Sequence, residues 1–175
     1  MNIVNTDGLQ IGGYSVLNVW QAGLLPALMA QGHSYAEARL LAEGLQTYNH
    51  RVHNLIVSSG KALVGDMLKD SEDVGLTYHA IGTGTTAVMV GDTTLTTESA
   101  RKAWTTKART TNTVTYSVFY TAAQATANIK EAGIFGGTTA SGTANSGTLF
   151  AHYLQAYDNS AGLYDLTFDY ILTIG

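Results

Sequence analysis

The chain has no cysteine, a single proline, few charges and no long apolar run. Without cysteine it has no disulfide framework, no thiolate zinc or iron–sulfur site and no thiol nucleophile. Nine Lys and Arg stand against thirteen Asp and Glu, a net charge of −4. A nucleic-acid binder needs a basic face to displace counterions, so no nucleic-acid partner is expected. No stretch reaches the roughly 18 apolar residues of a membrane span, and no membrane partner is expected either. The opening Met1-Asn2-Ile3-Val4-Asn5-Thr6-Asp7 is neither basic nor continuously apolar, unlike a secretory signal. Charged residues make up 13%, about half the usual quarter, and threonine, glycine and tyrosine fill the gap. The 175 residues suit one domain, or one domain with an appendage. Low charge with many hydroxyls fits a surface covered by other subunits.

Composition changes near Gly75 and divides the chain into 1–74, read as an arm and helices, and 75–175, read as β structure. Residues 1–13 read as an extended arm. Leu17, Trp20, Leu24 and Leu28 share one side of a helix expected from about Ser15 to Ala30, kinked at Pro26, which lacks an N–H. Ser34 and Glu37 form a capping box. Behind them Ala38, Leu41, Leu45, Tyr48, Val52, Leu55, Ser59 and Ala62 follow a 3-4 alternation. That spacing predicts a helix from Ser34 to about Lys69, about 50 Å long and coiled-coil-like. A charged linker, Asp70 to Asp73, follows. Beyond it the period changes to two, most clearly where Tyr164, Leu166, Phe168, Tyr170, Leu172 and Ile174 alternate with largely polar residues. Further strands are expected at Val114–Tyr120, Thr77–Ile81, Ala100–Thr105, Asn128–Phe135 and Thr148–Tyr153. The fold class is therefore α+β: an N-terminal helical extension and an antiparallel, jelly-roll-like β-sandwich.

Motifs for chemistry fail one by one. Gly82-x-Gly84-x-x-Ala87 matches a dinucleotide fingerprint, but β-branched and turn residues follow where a helix is required. Gly60-Lys61 lacks the flanking residues of a phosphate loop. His50 and His53 could share a metal only with further ligands that no spacing supplies. Asp165 and Asp169 lie about 13 Å apart along a strand, too far for a glycosidase pair. No nucleophile elbow occurs. No enzyme activity, cofactor or metal is expected. Tyr116, Tyr120, Tyr153, Tyr157, Tyr164 and Tyr170, with the loop Thr138–Ser146, leave a sugar-binding surface as an alternative.

Four blocks in order carry a resemblance: Ala80–Ala87 with Gly91–Leu95, Glu98 and Ala100–Lys102; Asn128–Phe135; Gly147–Ala151; and Asp165–Ile174. Across residues 77–175 the chain resembles a β domain of tailed-bacteriophage virion proteins of the tail-fibre, baseplate or adaptor kind. The resemblance implies a non-enzymatic, oligomeric assembly part, most often trimeric, located in the virion and joining other virion proteins to a fibre or spike. A receptor- or glycan-binding head and a capsid decoration or vertex protein are the alternatives. On this reading Leu41, Leu45, Tyr48, Val52, Leu55 and Ile56 are expected to self-associate around a threefold axis. Ile11, Trp20, Leu24 and Leu25 are expected to dock on the particle. Arg101 and Glu131, two of few charges, are expected to pair.

Overall fold

The cleanest alternation in the sequence becomes the centre of a sheet. In a computed structural model that describes residues 10–69 and 74–175, Tyr164–Ile174 forms the last strand. The ten strands are β1 (Ile11–Gln21), β2 (Tyr48–His53), β3 (Leu55–Ile56), β4 (Leu76–Gly82), β5 (Glu98–Ala103), β6 (Thr106–Thr110), β7 (Thr113–Tyr120), β8 (Asn128–Gly136), β9 (Thr148–Asp158) and β10 (Tyr164–Ile174). They make two five-stranded sheets, in the orders β2-β1-β10-β7-β6 and β3-β9-β8-β4-β5. Every strand pair is antiparallel. Among the described residues three α-helices accompany them: α1 (Leu24–Ala30), α2 (Tyr35–Leu41) and α3 (Ser58–Leu68).

The core lies between the sheets. Leu17, Val118 and Phe168 stand in register on the first sheet and meet Ile81, Ile134, Ala151 and Tyr153 of the second. One histidine is buried there among aromatic rings. His79 Nδ1 lies 3.1 Å from the Tyr120 hydroxyl and Nε2 lies 2.8 Å from that of Tyr153. The Tyr120 O–H donates to the His79 carbonyl, so the network assigns a proton to Nδ1, while the Tyr153 O–H donates to Ser15 at 3.0 Å. Burial pushes the imidazole down to about 3, and it stays neutral.

The expected strands of residues 75–175 are all present, with β6 in addition. The N-terminal half is different. No helix starts at Ser15. Residues 11–21 form β1, which pairs with β10 along its whole length and with β2 on its other side. Ser15, Asn18 and the β-branched Val16 and Val19 are weak helix formers, and a two-sided place in a sheet overrides the helical spacing. The helix expected from Ser34 to Lys69 is broken into five separate elements. The 3-4 alternation runs by coincidence through α2, a 3-10 turn at Glu43–Leu45, strands β2 and β3, and α3. Pro26 kinks nothing, because it lies in the first turn of α1, where no intrahelical N–H is needed. The division at residue 74 does not separate two bodies, since β1, β2 and β3 belong to the two sheets. The sheet orders combine hairpin neighbours, β4–β5, β6–β7 and β8–β9, with crossovers that set β10 between β1 and β7, β3 beside β9 and β4 beside β8. The linker at residues 70–73 and most of the arm lie outside the described residues.

Candidate interaction surfaces

Each sheet carries a cover on its outer face. Over the first sheet lie α1, α2 and the 3-10 turn. Gly23 opens α1 with a φ of +85°, which suits glycine, and its N–H donates to Asp165 Oδ2 at 2.8 Å. Ser34 and Glu37 form the expected capping box of α2. Trp20, Leu25, Ala38, Ala42 and Phe119 pack into a small second core beneath the helices. Arg39 reaches down to Asp169 and binds both carboxylate oxygens, at 2.8 and 2.6 Å. Asn18 and Ser117 donate to the same carboxylate. Burial works against the Arg39 charge, but the bonds and charge of Asp169 outweigh it and hold the guanidinium above its ordinary range. The Tyr35 hydroxyl donates to Thr167, and burial pushes its phenol up to about 12.

Over the second sheet lies the connection from β4 to β5, residues 83–97. Its anchor is Glu131, whose side chain is fully buried. Oε1 accepts from the backbone N–H of Gly84 and Thr97 at 3.1 and 2.7 Å, and Oε2 from that of Thr96 at 3.0 Å. His152 Nε2 lies 3.0 Å from Oε2, and His152 Nδ1 lies 2.7 Å from Asp92 Oδ2. The imidazole satisfies both carboxylates only when each ring nitrogen carries a proton. The Gly82 and Gly84 pair, which resembles a cofactor loop on paper, has a packing role. A Cβ at Gly84 would collide with the Glu131 carboxylate, and one at Gly82 would come within 2.7 Å of it. Leu95 completes the cover by packing with Val57, Ala80, Phe135 and Leu149.

The expected Arg101–Glu131 pair does not form. Arg101 binds Glu98 through two parallel contacts of 2.7 and 2.8 Å, both side chains being almost fully buried. Its guanidinium lies 4.0 Å from the centre of the Phe135 ring and donates to the Ser146 carbonyl. Glu98 in turn accepts from the Asn145 N–H. Both acidic residues hold loops, each with its own donors. Spacing alone could not assign those donors, because most are backbone amides.

The expected docking residues are mostly interior. Trp20 and Leu25 are fully buried, Trp20 donating from Nε1 to the Ala42 carbonyl, while Ile11 and Leu24 are half-buried. Among the expected self-association residues, Tyr48, Val52 and Ile56 pack against the main core. Leu41, Leu45 and Leu55 are exposed. The sequence reading did not single out Leu40, 71% exposed beside Leu41 on α2, nor Met89 and Val90, 64% and 51% exposed at the tip of the 83–97 connection. Their signal was present as three consecutive apolar residues, Val88 to Val90, within a turn-rich segment. Of the tyrosines weighed for sugar binding, Tyr120, Tyr153 and Tyr170 are buried. The loop Thr138–Ser146 is tied to itself through the Ser146 hydroxyl, which lies 3.0 Å from that of Ser141 and 2.7 Å from the Thr143 carbonyl.

No family model, curated protein or solved structure matches this chain.

Proposed function

We propose that the chain is a non-enzymatic structural subunit of a tailed-bacteriophage virion or phage-like particle. In this reading it is an oligomeric adaptor or base that attaches a fibre or spike to the tail, neck or capsid. The observation that carries the reading is where its resemblance blocks fall. The Gly82–Leu95 stretch of the first block is held by Glu131 of the second and packs on Leu149 of the third. Blocks far apart in sequence therefore serve one piece of architecture, as the motif of a shared domain would. The acidic groups Glu131, Glu98 and Asp169 are occupied in holding covers and loops, which suits an assembly part. Leu40, Leu41 and Leu45 give it an apolar outer surface.

The test is the composition of purified particles. Particles released from cells that carry the gene are purified on a density gradient and digested for mass spectrometry. The chain should be recovered at a fixed ratio to the major capsid protein. Recovery only from the soluble fraction would sink the proposal.

A further inference from the structure

Where the chain passes from β5 in the second sheet to β6 in the first, a groove of about 360 Å³ is lined by Thr77, Tyr78, Ala103, Trp104, Lys107 and Ala140. That volume is within the range of small-molecule sites. Its walls come from separate parts of the fold. Thr77 and Tyr78 belong to β4, Ala103 ends β5, Lys107 lies on β6, and Ala140 belongs to the loop Thr138–Ser146. Trp104 and Tyr78 are half-buried, and the Trp104 ring lies 5.1 Å from that of Tyr116. The Lys107 ammonium donates to the Leu76 carbonyl at 2.9 Å, which leaves two of its three donors. The loop wall is fixed. Arg101 donates to the Ser146 carbonyl at 2.7 Å, and the Ser141 N–H donates to the Ser146 hydroxyl at 2.9 Å. A wall held in this way loses little freedom on binding.

Two polar atoms of the lining are unmatched. The Trp104 indole N–H and the Thr77 hydroxyl are buried, and neither has a hydrogen-bond partner among the described residues. The other tryptophan, Trp20, does have one, the Ala42 carbonyl. A buried donor without an acceptor is costly, and its complement is an acceptor oxygen from outside the chain. Charge points the same way. Residues 99–130 hold five Lys and Arg and no Asp or Glu, in a chain whose net charge is −4. Arg101 is matched by Glu98, whereas Lys107 lines the groove with no carboxylate beside it. A simple carboxylate would match Lys107 and leave the indole and hydroxyl empty. A neutral sugar would match those and leave the ammonium.

We propose that this groove binds a carboxylated pyranose, a uronic-acid residue of an acidic glycan. Trp104 and Tyr78 supply the aromatic surface for the sugar ring. Lys107 takes the carboxylate, and the Trp104 N–H and Thr77 hydroxyl take oxygens of the ring and its hydroxyls. Both of those atoms lie beneath the wall, so the sugar meets them through side-chain rotations of the kind that commonly accompany binding. The site is additional to the assembly reading and does not depend on it.

The experiment is a proton–nitrogen correlation spectrum of the full chain, titrated separately with a short galacturonate oligomer, a glucose oligomer of equal length, and acetate. The Trp104 indole signal is identified as the one missing from Trp104→Phe. It should shift progressively with the galacturonate oligomer while the Trp20 signal stays in place. Lys107→Met, at an exposed position, should raise the Kd at least about tenfold, the scale of one charge-assisted hydrogen bond. Thr77→Val should raise it severalfold without lowering the unfolding midpoint, because the hydroxyl it removes has no partner in the free chain. A Trp104 signal unmoved by millimolar galacturonate would overturn the site. An equal response to acetate would overturn the sugar, and an equal response to the glucose oligomer would overturn the carboxylate. Unchanged affinity in Lys107→Met, shown to be folded by circular dichroism, would overturn the assignment as well. None of these outcomes bears on recovery of the chain in particles, so the assembly reading is tested separately.

Discussion

The two sheets are covered on their outer faces by unlike means. The first is covered by short helices that bring their own apolar core, and one bidentate ion pair, Arg39–Asp169, ties that cover to the strands. The second is covered by a connection with little regular structure, whose backbone amides converge on one buried carboxylate. In the first case hydrophobic packing does most of the holding and the charges add to it. In the second the carboxylate replaces the hydrogen bonds that a strand or helix would have supplied to the same amides. The second cover should therefore depend far more on a single side chain.

Glu131→Gln tests that difference most directly. The amide cannot accept at every point where the carboxylate does, and its NH₂ faces donors. The expected loss is about 3 kcal/mol of unfolding free energy in a urea titration, from buried donors left without an acceptor. Hydrogen exchange at Gly84, Thr96 and Thr97 should accelerate more than in the rest of the second sheet. The core between the covers contributes the next effect. His79 is neutral in the folded protein, with its pKa near 3 against an ordinary 6.5. The unfolded chain takes up a proton as pH falls through 6.5 while the folded chain does not, so stability declines over that window. The loss by pH 5 is about 2 kcal/mol, at 1.36 kcal/mol per unit. It should be absent from a His79→Gln variant that folds. Arg39→Met comes third. Asp169 keeps Asn18 and Ser117 as donors and the apolar packing survives, so about 1–2 kcal/mol is expected. A cost for Arg39→Met equal to that of Glu131→Gln would erase the contrast between the covers.

How much of this was legible depended on whether period and burial agreed. Tyr164 to Ile174 alternate, and the strand is where the alternation puts it. Its polar side nevertheless turned out to be buried, because Asp165, Thr167 and Asp169 face helices that come from more than 120 residues away. The capping box at Ser34 and Glu37 was also readable, being local. The helical reading of 45–62 failed because Tyr48, His50 and Val52 also alternate with period two. Only the open edge of β1 decides between those periods. Arg101 and Glu131 were rightly singled out as unusual charges. Their partners could not be read, since Glu131 binds amides of residues 84, 96 and 97, and an amide has no side-chain signature.

The smallest effect separates Asp92 from the rest of its cover. Burial would raise its carboxyl, but the Met89 N–H and His152 outweigh that and hold it below the usual carboxylate range. A carboxylate depressed in the folded state adds stability above its unfolded pKa, and that stability is lost as pH falls through the folded one. The window therefore lies below about pH 4, where the His79 decline is already well advanced. In Asp92→Asn the neutral-pH stability should fall by less than about 1 kcal/mol, because the residue is partly exposed and screened. The difference from wild type should then shrink as the pH is lowered from 4 to 3, while the slope between pH 6 and 5 stays unchanged. A difference that instead opened between pH 6 and 5 would show that the Asp92 carboxyl is not the group that sets the pH dependence of this cover.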